Sequence, residues 1–151
     1  MPVRGRGRVV LDDPDHGNNW KGRSPVVPLL AVIFAAVAAF LHVVFFVFES
    51  VLWTKPKIWK RFGLRSQADA DTTKSLAYNQ GFYNLFLAVG VVVGLVLSVN
   101  HESAGRAMVL FGCSSMALAA VVLISTGKDK LRAALIQFVP PALAVVFAVS
   151  L

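Results

Sequence analysis

Cysteine is almost absent from this chain: Cys113 stands alone among 151 residues. An intrachain disulfide is therefore excluded, and no cysteine spacing of a structural metal site can be drawn. Cys113 itself reads as a small apolar residue within an apolar run. Acidic residues are scarce too, 8 Asp and Glu against 15 Lys and Arg. Charged residues make up only 15% of the chain, too few to give each helix of a soluble bundle a solvated face. Nucleophile motifs, phosphate-binding loops and redox cysteine pairs are also missing. The net charge of +7 would suit nucleic acid in a soluble protein. Here the basic residues sit in connections between apolar runs, where they set membrane orientation instead.

What is abundant is apolar sequence, 56% of residues. It is gathered into Val26–Phe48, Phe82–Val99, Ala107–Ser125 and Ala133–Leu151. At a 1.5 Å rise per residue these runs reach roughly 27 to 35 Å, which matches a hydrocarbon core of about 30 Å. The second and third runs carry no charge; the first holds His42 and the fourth the amide of Gln137. The expected fold is all-α, a four-helix transmembrane bundle with antiparallel neighbours. Its helices are expected at about 26–53, 76–99, 105–125 and 131–151, the last kinked at Pro140-Pro141. A flexible basic tail, 1–25, precedes them, and an interfacial segment, 54–75, follows the first helix. The first run is too long for a cleaved leader and ends at His42 and Glu49 rather than at a small-residue cleavage site. No internal repeat is visible.

Orientation follows from the basic residues. Lys55, Lys57, Lys60, Arg61, Arg65 and Lys74 fill the first connection, and Lys128, Lys130 and Arg132 the third. Fewer lie close to the helices on the other side: Arg8, Lys21, Arg23 and Arg106. The first and third connections are therefore expected in the cytoplasm of a multi-pass protein of the cell membrane. Ile58, Trp59, Phe62 and Leu64 are interleaved with the bases of the first connection, a pattern suited to the headgroup layer.

The polar residues within the runs are few and placed together. His42, Phe46, Glu49 and Trp53 have helical offsets of 4, 7 and 11 and share a face of the first helix. Gln80, Asn84 and Leu87 share a face of the second, with Tyr83 alongside. Gly90 and Gly94 fall near that side as a small-xxx-small packing pair. Pro140 and Pro141 lack amide hydrogens, so the carbonyls of Ile136 and Gln137 are released. Glu49, the amides of Asn79, Gln80 and Asn84, and Gln137 all belong to helix ends on the side of the first and third connections. They are expected to line a polar pocket in one half of the bilayer. Polar groups at helix ends also meet water or headgroups without any further role, and a neutral His42 can serve structure alone.

Three stretches taken together, HVVFFVFESVLWTKPKIWKRFG, NQGFYNLFLAVG and QFVPPALA, resemble the domain of unknown function 1304 family of small integral membrane proteins. The resemblance covers about Ala31 to Leu151 and rests on His42, Glu49, Trp53, Asn79, Gln80, Gly81, Tyr83, Asn84, Gln137 and Pro140. It implies a four-helix membrane domain and supplies no activity.

Four functions compete on these residues. The first is binding, extended to transport, of a small molecule by His42, Glu49, Asn79, Gln80, Tyr83, Asn84 and Gln137. The second is an enzyme acting on a lipid-soluble substrate, with Glu49 or His42 as acid or base and Asn84 or Tyr83 stabilising an anion. The third, a metal site, is disfavoured because His42 and Glu49 are too far apart to share an ion without another ligand. The fourth is an accessory subunit whose polar groups bond a partner helix. The bilayer, a small-molecule ligand and a second copy or host complex are the expected partners. No cofactor and no nucleic acid are expected.

Overall fold

The computed structural model describes residues 28–150. The basic tail 1–25, the start of the first apolar run and Leu151 lie outside the described residues. Helix α1, Leu29–Phe46, continues into a π-helical turn, Val47–Val51. A short helix α2, Pro56–Trp59, runs on as a 3-10 turn, Lys60–Phe62. Helices α3, Gln67–Leu97, and α4, Glu102–Ser125, follow. A 3-10 turn, Lys128–Lys130, leads into α5, Leu131–Val149. Among the described residues there is no strand. Four helical stretches, Leu29–Val51, Gln67–Leu97, Glu102–Ser125 and Lys128–Val149, are long and apolar enough to cross a membrane. That is consistent with a multi-pass membrane protein.

The four long helices, α1, α3, α4 and α5, are neighbours in chain order, and α5 packs against both α4 and α1, which closes the bundle. What fills the centre is small. Ala35, Ala38 and Ala39 of α1 meet Ala88 and Val91 of α3, Val109, Cys113 and Met116 of α4, and Ala144 of α5. Ala31 and Ala148 form a second contact at one end. The large side chains point outward: Phe40 is 65% exposed and Phe111 75%. A water-soluble bundle would reverse this order. In hydrocarbon, burying a large side chain gains little, whereas small residues let backbones approach closely and gain dispersion contacts.

The closest approach joins α3 to α4. A Cβ on Gly105 would strike the backbone of Ser98 and the carbonyl of Gly94, and one on Gly94 would lie 2.9 Å from the Cβ of Met108. Gly90 takes no part, since a Cβ there would meet nothing within 4 Å. The expected Gly90–Gly94 pair is thus replaced by Gly94 and Gly105. The reason is angular: the inward side of α3 runs through Ala77, Gly81, Asn84, Ala88, Val91 and Gly94, and Gly90 lies off that line.

Helix α3 begins at Gln67, nine residues before the apolar-run estimate of 76. Ser66 and Asp69 form a capping box: the Asp69 N–H donates to Ser66 Oγ at 3.0 Å, and the Ser66 N–H to Asp69 Oδ2 at 3.0 Å. Two orphan amides are satisfied, and the polar stretch that follows continues as helix. The connection between the first two long helices therefore ends at 66, where 75 was expected. Ile58 and Trp59 of that connection are buried, as is Trp53 before it, while Phe62 is 36% exposed. Trp53 Nε1–H donates to the Ala70 carbonyl at 3.0 Å, and Trp59 Nε1–H to Gln67 Oε1 at 3.1 Å. Phe62 lies edge-on to Trp53 at 5.0 Å, and Gly63, at φ 82°, closes the turn.

Candidate functional site

The end of α1 is shaped by its π turn. The Leu52 N–H donates to the Val47 carbonyl at 2.9 Å, five residues back rather than four. An extra residue is thereby accommodated within one turn, a device common at functional positions. Two of the residues in that turn reach α3. Ser50 Oγ–H donates to the Tyr78 carbonyl at 2.8 Å. Glu49 Oε2 accepts from Asn84 Nδ2–H at 2.7 Å. Gly81 makes both bonds possible: a Cβ there would overlap Ser50 Oγ and lie 3.2 Å from the Glu49 Cβ. With only hydrogen at that position, the π turn settles onto the α3 backbone.

Asn84 is buried on the inward side of α3, and Glu49 is half-buried. The amide presents its NH₂ to a carboxyl oxygen, which accepts it. The Asn84 carbonyl oxygen and the second Glu49 oxygen make no hydrogen bond among the described residues.

His42 lies two turns deeper on α1, roughly 10 Å along the axis, and is 1% exposed. Its Nδ1 lies 2.9 Å from the Ala38 carbonyl, one turn back. A carbonyl only accepts, so Nδ1 carries a proton; in the neutral tautomer Nε2 is then a bare acceptor. That Nε2 is buried without a hydrogen-bond partner among the described residues. Phe45 packs edge-on against the ring at 5.5 Å.

The other expected residues divide. Gln137 is half-buried and shares the inward side of α5 with Ala134, Pro141, Ala144 and Ala148. It makes no hydrogen bond to Glu49 or Asn84 among the described residues. Helix α5 continues through Pro140 and Pro141. Asn79, Gln80 and Tyr83 are exposed on the outside of α3. They do not join the Glu49–Asn84 pair, because the inward side holds Gly81 where the expected face held Gln80. A concavity of about 170 Å³ between α4 and α5 is lined by apolar side chains such as Ala120, Ile124, Ala134 and Phe138. It offers nothing to a polar ligand.

A family profile for protein of unknown function (DUF1304) matches residues 36–149. The chain belongs to this family. No curated protein and no solved structure matches it. The span matched to DUF1304 takes in His42, the π turn, Asn84 and Gln137, and leaves the basic tail outside. Within this DUF1304 chain, three features escaped the sequence reading as parts of the site: Ser50, the role of Gly81, and the π turn. A signal did exist for Gly81. Ala77, Gly81, Ala88 and Gly94 are small residues at helical spacing around Asn84, the mark of an inward side in a membrane helix.

Proposed function

We propose that this DUF1304 protein holds a polar site in one half of the membrane, centred on Glu49 and Asn84, that binds a small molecule. The observation that carries this reading is the 2.7 Å bond between Glu49 of the π turn and buried Asn84 of α3. A carboxyl group taken into an apolar bundle and held by a single amide is costly for stability alone. The free acceptors beside that bond give such a group a use. His42, deeper in the same helix, is the inner limit of the site. Binding is favoured over acid–base catalysis because Glu49 and His42, roughly 10 Å apart along the helix axis, are too distant to act on one bond. The test is mass spectrometry of molecules retained by purified wild type and by the Glu49→Gln/Asn84→Ala double variant. A small molecule carried by wild type and lost from the double variant is expected. Identical profiles overturn the reading.

The basic first and third connections support a cytoplasmic placement for that end of the bundle. A reporter fused at the C-terminus then reads as external, and a cytoplasmic reading reverses the assignment. One observation favours a second role as well. Asn79, Gln80 and Tyr83 are polar and exposed on the outside of α3, which suits bonding to another chain within the bilayer. Cysteines placed at Asn79 and Tyr83 in a Cys113→Ala background would crosslink α3 to that chain; crosslinks confined to other helices argue against it.

A further inference from the structure

We infer that the ligand of the Glu49–Asn84 site carries a protonated primary amine, and that it enters in exchange for the proton of Glu49. This rests on the reading of the pair as a binding site and adds the chemistry of what it binds.

The argument begins with an inventory of donors and acceptors. Asn84 gives one amide hydrogen to Glu49 Oε2. What remains around that bond is the other Glu49 oxygen, the Asn84 carbonyl and one further Asn84 hydrogen. His42 Nε2, roughly 10 Å deeper along the axis, is a buried acceptor without a partner among the described residues, too far away to share one ammonium with Glu49. The Ser50 hydroxyl is committed to Tyr78. Acceptors therefore dominate. Phosphate, sulfate and carboxylate bring only acceptors and are excluded; an ammonium group brings three donors.

Charge points the same way. A half-buried carboxylate without a cation must hold a proton or acquire a positive partner. Among the described residues the hydrogen bond of Glu49 goes to a neutral amide. Two cations of the first connection lie over aromatic rings: Arg61 at 5.8 Å over Phe48 and Lys60 at 5.5 Å over Trp59. Lys55 and Lys57 are exposed. Helix α3, which packs against the π turn, carries Asp69, Asp71 and Lys74 only in its first turns, outside its apolar part. Tyr78 and Tyr83 of α3 are exposed. Along α1 the one titratable neighbour is His42. The apolar parts of α4 and α5 contribute Cys113 and the neutral Gln137. Among the described residues the site thus has one acidic group and no internal cation.

The exchange balances simply. With the carboxyl protonated, R–NH₃⁺ arrives, the carboxyl proton leaves to water, and the carboxylate accepts from the ammonium N–H. No covalent bond other than O–H breaks. The ammonium has two possible sources. One is a free amine. The other is an aminophospholipid headgroup, whose phosphate would meet the basic first connection while its ammonium reached Glu49.

The experiment uses the full chain in maltoside micelles, weakly buffered with a pH indicator, titrated with hexylammonium chloride and followed by calorimetry. Saturable binding is expected, with about one proton released per bound molecule where Glu49 starts protonated. Apparent affinity should fall about tenfold for each pH unit lowered while Glu49 is protonated. It should level off once the carboxyl is ionised and fall again as the alkylammonium loses its own proton at about 10. Hexyltrimethylammonium, which lacks N–H donors, should bind at least about tenfold more weakly. Glu49→Gln should abolish both binding and proton release. Absence of saturable hexylammonium binding, equal binding of hexyl sulfate, or unchanged binding in Glu49→Gln overturns the inference. The pH series and the anion control use wild type, so a poorly folding variant cannot decide the outcome. A neutral or anionic molecule lost from the double variant in mass spectrometry would leave the binding site standing and remove the ammonium. Competition by phosphatidylethanolamine but not phosphatidylglycerol assigns the amine to a headgroup; saturable binding without that competition assigns it to a free amine.

Discussion

The two halves of this bundle are held together by different means. In the half that contains the α3–α4 turn, helices meet through hydrogen and methyl: Gly94 and Gly105 allow backbone contact, and Ala31 abuts Ala148. In the half below the first connection, helices meet through hydrogen bonds. Glu49 joins Asn84, Ser50 joins Tyr78, and Trp53 joins Ala70. Among the described residues the first half has no side-chain hydrogen bond between helices. In the second, the other Glu49 oxygen and the Asn84 carbonyl make no hydrogen bond among the described residues. Close packing and side-chain hydrogen bonding are thus separated along the bundle axis, with His42 near the boundary.

Four substitutions test that contrast. The largest effect is expected for Gly105→Leu, which drives a side chain into the Ser98 backbone. A loss of about 3 kcal/mol or more, or failure to fold, should appear in thermal melting in detergent. Asn84→Ala should cost less, about 1–2 kcal/mol in the same assay, while removing ligand retention. A loss as large as that of Gly105→Leu would mean that the polar half carries the fold. Ser66→Ala should cost about 1 kcal/mol through the lost cap of α3 and leave ligand binding in place. The smallest effect belongs to Gly90→Ala. With open space around it and better helix propensity, it should be neutral or stabilising by up to about 1 kcal/mol. Destabilisation of more than that would restore Gly90 to a packing role.

The number of spans was legible because hydropathy measures what the bilayer requires, and each apolar run became a helix. The start of α3 was not, because hydropathy stops where lipid stops. The helix extends beyond it on the strength of Ser66, Asp69 and the alanines that follow. Half of the candidate site was legible: Glu49 and Asn84 were singled out, and they touch. Asn79, Gln80 and Tyr83 were misplaced because the inward side was sought by polarity. In this bundle it is selected by size, and Gly81 rather than Gln80 turns inward. One residue around a helix is about 100°, enough to carry Gln80 out of the seam. The π turn had no sequence signature, since it depends on how the end of α1 settles against α3.

That turn gives the first long helix a surplus residue, and its wider winding absorbs the surplus. Five residues at the π pitch cover about the same angle as four at the α pitch, so Trp53 beyond the turn keeps the phase set by the alanines before it. Removing one residue between Val47 and Val51 would let the segment relax to ordinary α geometry with that phase kept. Removing one anywhere else in the helix would turn everything beyond it by about 100°. The turn is thus the place where a single codon can be lost without uncoupling the two ends of the helix, at the expense of the bulge that carries the acidic side chain to its amide.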